Sequence, residues 1–261
     1  MIPLFPSNPD PARFANKYKS LLSCLATGIT TKANLLAEFN QLLDSDAFAQ
    51  QNSKGYRVGT WRLLVTQEDE KLLDDRFLDQ FPERFDTNSP EFHALYSKRH
   101  VIDGFYNQIP KPIQRRILLA QTWVPWSPQM KSLLEAVPQM HRIIGVSVRT
   151  WKASHDTCQL AAHRAKSFHP EKYLSKIKEY ENKVEGIFFS FDNPDAEKYF
   201  KDVKIPRIKY SPPPSLTPIQ RAAVEAQILG NCGLIIGDRL STFPEVAWWM
   251  GGCRADVILV Q

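Results

Sequence analysis

Cysteine and histidine are scarce in this chain, and neither is arranged for a disulfide or a metal site. The four cysteines lie far apart, and no Cys-x-x-Cys pair occurs, which predicts reduced packing residues. The six histidines lack the spacings that zinc ligands prefer. The acidic runs at 68–70 and 74–75 do not form an Asp-x-Asp at the end of an apolar strand, an arrangement that holds Mg²⁺ or Mn²⁺. We therefore predict no bound metal and no cofactor.

Long hydrophobic runs and an excess of one charge are also missing. No apolar run approaches about 18 residues, and no signal peptide is recognised, so we expect a soluble, cytoplasmic chain without a transmembrane segment. The net charge of +5 comes from 33 basic and 28 acidic residues. It suits binding of an anionic nucleotide or peripheral contact with an anionic membrane surface. No dense basic stripe with interleaved aromatics occurs, so we predict no nucleic-acid partner.

What the chain does have is a set of polar residues that follow apolar strands. The run 143–148 predicts a strand, and Arg149 follows it directly. In an open α/β sheet, ligands bind beyond the carboxyl ends of the strands. A guanidinium is a planar, permanently charged fork that fits phosphate oxygens. Arg149 therefore indicates a phosphate contact, with a surface salt bridge as the alternative.

A second predicted strand, 233–237, leads through a short loop into a helix. Ser241 can cap this helix, Pro244 suits its first turn and Glu245 favours the same end. The N–H groups of that turn then point into the loop, where the helix macrodipole favours an anion. The pattern indicates a phosphate-binding turn, and an ordinary capped helix is the alternative.

A third predicted strand, 186–190, comes before Asp192 and an Asn-Pro turn. The carboxylate of Asp192 could bind a ribose hydroxyl or a base N–H. It could equally cap the helix that is predicted to start near Pro194.

The predicted elements alternate between strands and helices, which is typical of an α/β fold. Prolines punctuate residues 109–140, and this stretch indicates a hinge. We predict an N-terminal α/β domain at 1–138 and a Rossmann-like domain at 139–261. The remaining predicted elements are helices at 13–27, 33–43, 128–136 and 218–229, and strands at 55–66 and 256–260.

Several of these segments resemble the fucosyltransferase-like GT-B glycosyltransferases. That group includes the nodulation fucosyltransferases, the core α1,6-fucosyltransferases and the protein O-fucosyltransferases. Gly145–Arg149 resembles the family's strand ending in His-x-Arg, with Ser147 in place of histidine. The other similar segments are Phe168–Tyr173, Phe189–Pro194, Ser241–Trp248 and, in the N-terminal half, Arg13–Lys17.

The resemblance implies a GT-B-like fold: two Rossmann-like domains with a reduced N-terminal one, and the sugar nucleotide in the cleft. It makes 1–138 the acceptor-side domain and 139–261 the nucleotide-sugar-binding domain. It implies that Arg149 binds the β-phosphate of a GDP-sugar. Glu225 stands sixteen residues before Ser241, where the family has a carboxylate that reads guanine. The donor-binding residues implied are Arg13, Asn16, Ser147, Arg149, Asp192, Glu225, Ser241, Thr242 and Phe243.

The implied reaction is a metal-independent, inverting transfer of fucose or a related sugar to a glycan acceptor. Its catalytic residues would be Arg149 and a general base that takes the proton of the acceptor hydroxyl. Asp156, with His155 beside it, is our candidate base, and Asp103 is the next one. Since a Golgi member of the family would carry a membrane anchor, we expect a microbial or virus-encoded enzyme.

Two other functions stay open from the sequence. The enzyme could use another nucleoside-diphosphate sugar, such as one carrying rhamnose, xylose or galactose. The chain could also be a nucleotide-binding protein of the same fold that has lost the chemistry.

Overall fold

The computed structural model describes two compact units of the chain. The described residues are 2–3, 14–15, 18, 22, 63–64, 71–79, 111–124, 126–152 and 159–260. The first unit comprises Met1–Leu133 with Thr217–Gln220, and the second comprises Leu134–Leu216 with Arg221–Gln261.

The first unit contains a short parallel strand pair and several helices. Its elements are β1 (Ile2–Pro3), β2 (Leu63–Leu64), α1 (Asp75–Leu78), α2 (Lys111–Gln121) and most of α3 (Pro128–Glu135). Residues 14, 15, 18 and 22 are helical, as the apolar spacing in 13–27 predicts. Tyr18 stacks on Trp126 with ring centroids 5.6 Å apart, and its hydroxyl donates to Gln121 Oε1 at 3.0 Å. The helix predicted at 33–43 lies outside the described residues.

The second unit is built around a five-stranded, all-parallel sheet. Its strands are β3 (Met140–Val148), β4 (Gly186–Phe191), β5 (Arg207–Ile208), β6 (Cys232–Asp238) and β7 (Asp256–Val260). Its helices are α4 (Gln159–Ala165), α5 (Pro170–Lys178), a 3-10 helix (Pro194–Phe200), α6 (Pro218–Asn231, whose first turn belongs to the first unit) and α7 (Thr242–Met250). All four predicted strands of this region are present, which confirms the α/β fold class. The short edge strand β5 was not among the predicted strands.

The strand order is β5-β4-β3-β6-β7, so the first strand of this unit is central and the chain winds outward on both sides. This is the doubly wound order of a Rossmann-like sheet. On one face, Ile144, Val146 and Val148 join Tyr173 and Ile177 of α5 in a buried core. Continuous apolar runs form these strands because helices cover a parallel sheet.

On the opposite face of the sheet, two glycines lie against helices. A Cβ atom on Gly145 would lie 2.8 Å from Leu229 of α6, and one on Gly237 would lie 2.7 Å from Pro244 of α7. Glycine at these positions therefore lets both helices approach the strands closely. At Gly237 this contact sets the first turn of α7 directly against the end of β6.

Among the described residues, no helix is long and apolar enough to cross a membrane. The same residues contain no cluster of three or more metal-ligating side chains. Cys232 and Cys253 are free thiols, and Cys24 and Cys158 lie outside the described part.

Candidate functional site

The central strands β3 and β6 define a crevice at the carboxyl edge of the sheet. After β3 the chain passes to β4 on one side, whereas after β6 it passes to β7 on the other. Loops that leave in opposite directions open a crevice between them, and ligands of doubly wound proteins bind there. Ser147 is paired in register with Gly237, so the predicted loops after β3 and β6 start side by side.

Arg149 enters this edge as one half of an ion pair. Its Nη1 lies 2.5 Å from Asp192 Oδ2, and the two side chains are only 11% and 10% exposed. The Asp192 carboxylate also accepts the Thr150 backbone N–H at 2.9 Å, the Thr150 hydroxyl at 2.9 Å and the Trp151 backbone N–H at 3.1 Å. Asp192, at the end of β4, therefore holds the loop that follows β3.

The interpretation of Asp192 as a helix cap is wrong. The cap of the 3-10 helix is Asn193, whose side chain accepts the Asp195 N–H at 3.0 Å. Both residues can cap a helix, so the sequence could not decide between neighbours. The loop after β3 has several N–H and O–H groups that donate hydrogen bonds to the Asp192 carboxylate, so this carboxylate does not cap the helix.

Trp151 ties the loop after β3 to the loop after β6. Its indole N–H donates to Asp238 Oδ2 at 3.0 Å, while Asp238 Oδ1 accepts the Leu240 N–H at 2.7 Å. Trp151 is buried, and its φ of 59° lies in the left-handed region that bulky residues rarely adopt. Sequence reasoning missed Trp151 and Asp238; the signal available was an aromatic and a carboxylate at two strand ends.

The N-terminus of α7 has the predicted cap. Ser241 is extended, and its hydroxyl accepts the Phe243 N–H at 3.4 Å. Pro244 and Glu245 lie buried in the first turn, while Thr242 and Phe243 are half-buried. The predicted residues of this turn therefore lie beside the crevice, at the end of β6.

Glu225, on α6, contacts the carboxyl end of β4 through Ser190. The Ser190 hydroxyl donates to Glu225 Oε2 at 2.7 Å, and Ser190 is paired in register with the buried Ser147. Burial raises the pKa of the Glu225 carboxyl, while the Ser190 hydrogen bond and the charge of Arg221 partly offset this increase. The two predicted residues Ser147 and Glu225 thus belong to one polar cluster on this face.

Tyr210 follows β5 and lies near the same cluster. Its hydroxyl is buried and has no hydrogen-bond partner in the described part of the chain. Burial raises the pKa of this phenol, the negative charge of Glu225 adds to the increase, and Arg221 opposes it. Sequence reasoning did not single out this residue.

Four predicted site residues lie outside the described part of the chain. They are Arg13, Asn16, His155 and Asp156. The next candidate base, Asp103, lies outside it as well. The roles of these residues stay predictions.

Comparison with known proteins gives structural matches alone. No family model matches the chain, and no curated protein matches it. The crystal structure of NodZ α-1,6-fucosyltransferase soaked with GDP-fucose is similar with 16% identity and a TM-score of 0.36, over 55% of this chain and 48% of that chain. The apo-form of POFUT1 is similar with 12% identity and a TM-score of 0.43, over 97% and 96%. POFUT1 in complex with GDP-fucose is similar with 11% identity and a TM-score of 0.40, over 93% and 92%.

This chain thus spans about half the length of the NodZ structure. These structures are of fucosyltransferases, the family that the sequence motifs resemble.

Proposed function

We propose that this chain is a metal-independent, inverting glycosyltransferase. It transfers fucose or a related sugar from a GDP-sugar to a glycan acceptor. The observation that carries the proposal is the crevice between β3 and β6, with Arg149 on one side and the capped N-terminus of α7 on the other. This is where a doubly wound sheet binds a nucleotide.

The groups at the crevice suit a diphosphate leaving group. When the bond from the sugar to the phosphate breaks, negative charge develops on the diphosphate. The Arg149 guanidinium, the Ser241 and Thr242 hydroxyls and the N–H groups of the first turn of α7 can stabilise that charge. They are held before the reaction, because Asp192 orders the loop after β3 and the cap orders the start of α7.

Glu225 supports guanine as the base. A carboxylate can accept hydrogen bonds from N1–H and N2–H₂ of guanine, and uracil offers no such edge. The Ser190 hydrogen bond holds the Glu225 side chain at the sheet. We therefore propose that Glu225 determines the binding preference for GDP over UDP.

The general base completes the proposed reaction. Inversion by direct displacement needs a group that takes the proton of the acceptor hydroxyl. Asp156 with His155 is the proposed base. The glycan acceptor, the cytoplasmic location and peripheral contact with a membrane surface are further parts of the proposal.

Binding is the first test of the proposed function. Isothermal titration of the protein with GDP, UDP and ADP, in buffer containing EDTA, should show binding of GDP with a clear preference over the other two. Binding that requires Mn²⁺, or equal affinity for all three nucleotides, would contradict the donor assignment. GDP-fucose incubated with a panel of glycans should then release GDP only when an acceptor is present.

A nucleotide-binding protein without transferase activity is the second candidate. The ion pair of Arg149 with Asp192 favours it, because that carboxylate already neutralises the guanidinium. GDP binding without GDP release from GDP-fucose, across the acceptor panel, would select this candidate.

A further inference from the structure

A second arginine shares the Trp151 indole with Arg149. The Cζ atom of Arg149 lies 4.2 Å from the centroid of the ring, and the Cζ atom of Arg164 lies 4.6 Å from it. Arg164 belongs to α4, the helix that follows the loop after β3. One buried ring at the carboxyl edge of the sheet therefore contacts two guanidinium groups.

The position of the ring is held by several contacts. Asp238 accepts its indole N–H, Asp192 accepts its backbone N–H, and the backbone is left-handed. Bulky residues adopt that conformation only where the surroundings impose it, most often at functional sites. The negative face of an indole attracts a cation, so a fixed Trp151 gives each arginine a defined place.

The negative charges nearby are engaged elsewhere. Asp192 is paired with Arg149, and Asp238 accepts hydrogen bonds from Trp151 and Leu240. In the described part of the chain, no carboxylate forms an ion pair with Arg164. The indole attracts both guanidinium groups, and Arg149 is also paired with Asp192. The charge of Arg164, which is not paired with a carboxylate of the described residues, favours an anion at this edge.

We infer that Arg164 is a second phosphate-binding residue of the donor site, and that Trp151 is the positioning residue that holds both arginines toward one diphosphate. The inference rests on the proposed function and deepens it. A diphosphate offers oxygens on two adjacent phosphates, and a planar guanidinium suits each of them.

Stepwise removal of phosphates from the ligand tests this role. We would measure the affinities of guanosine, GMP, GDP and inorganic pyrophosphate by isothermal titration for the wild type and for Arg164→Ala. Losing a charge-assisted contact should weaken GDP and pyrophosphate about tenfold or more. GMP should lose less affinity, and guanosine should lose none. Arg164→Gln, which keeps most of the side chain, replaces the alanine variant if that one does not fold.

Arg207 offers a matched control. Its guanidinium also lies over an aromatic ring, that of Phe189 at 5.1 Å, but it is paired with Glu197 at 2.7 Å and belongs to the edge strand β5. Arg207→Lys should leave all four affinities unchanged, whereas Arg164→Lys, which keeps the charge and loses the fork, should weaken GDP.

The outcomes separate the inference from the proposed function. Wild-type GDP binding with unchanged affinity in Arg164→Ala would overturn the inference and leave the proposed function standing. Equal loss of guanosine and GDP affinity would also overturn it, because Arg164 would then act through the structure alone. If pyrophosphate binds and its binding depends on Arg164, whereas GDP does not bind, the phosphate-binding role of Arg164 is supported and the proposed nucleotide donor is refuted. If the wild type binds neither ligand, both fail.

Discussion

Replacing Arg149 with alanine removes the guanidinium that is paired with Asp192. If Arg149 meets charge that develops on the diphosphate, its loss removes a charge-assisted contact that is stronger in the transition state than in the ground state. Such a contact is worth about 2.7 to 4 kcal/mol, so turnover should fall by about two to three decades. The assay is GDP release from GDP-fucose in the presence of acceptor.

The same change leaves Asp192 without its cation, and that effect must be separated from catalysis. Removing one partner of a buried ion pair costs about 3 to 5 kcal/mol of stability when nothing else satisfies the remaining charge. Here the Thr150 N–H, the Thr150 hydroxyl and the Trp151 N–H still donate to Asp192. We therefore expect a smaller loss, about 1 to 3 kcal/mol in urea unfolding, and a folded variant.

A double variant provides the control. Arg149→Ala with Asp192→Asn removes the unpaired charge, so stability should recover in part, because an amide needs no counter-ion. Turnover should stay as low as in Arg149→Ala. Near wild-type turnover of the folded single variant would refute the catalytic role of Arg149, and recovered turnover in the double variant would show that only the uncompensated carboxylate had been harmful.

Three other residues or pairs give sharp expectations. Glu225→Gln should reduce the preference for GDP over UDP in isothermal titration, and an unchanged preference would contradict the proposed contact of Glu225 with guanine. Since the folded pKa of Glu225 is raised above its ordinary value of 4.5, its stabilising contribution is present below that value and is lost as pH rises through the raised pKa. Urea unfolding from pH 4 to 8 should therefore show Glu225→Gln gaining stability relative to wild type as pH increases; a constant difference would contradict the shift. Tyr210→Phe removes a buried hydroxyl that has no hydrogen-bond partner in the described residues. The free energy of unfolding should therefore stay the same or increase by up to about 1 kcal/mol, which thermal unfolding can measure. A clear fall in the melting temperature would show that this hydroxyl has a hydrogen-bond partner. Asp156→Asn should abolish transfer while GDP binding persists, and His155→Ala should lower it; full transfer by both variants would place the base elsewhere.

Four of the five strands of the second unit could be predicted because each is an apolar run that ends at a polar residue. The cap of α7 was equally readable, since Ser241, Pro244 and Glu245 all favour a helix start. These are local signals. They predict where each element of the site lies in the sequence, but they do not predict which elements contact each other.

The contacts that assemble the site are not local. Trp151 and Asp238 are separated by 87 positions in the sequence, and Arg149 and Asp192 by 43. Their pairing depends on which strands are neighbours, and a single sequence carries no direct sign of that order. The strand β5 is only two residues long, too short to show an alternating pattern. The choice of Asn193 over Asp192 as a cap was decided by donors from another loop.

The central position of β3 has a consequence for the order of folding. Its partner β6 begins more than eighty residues later in the chain, so their pairing must close a long loop, and such closures are slow. The local helices and the nearer pair of β3 with β4 can form first. The crevice, which lies between β3 and β6, then comes into existence only with one of the last pairings of this unit. A refolding protein should accordingly regain helical circular dichroism before it regains the ability to bind an anion.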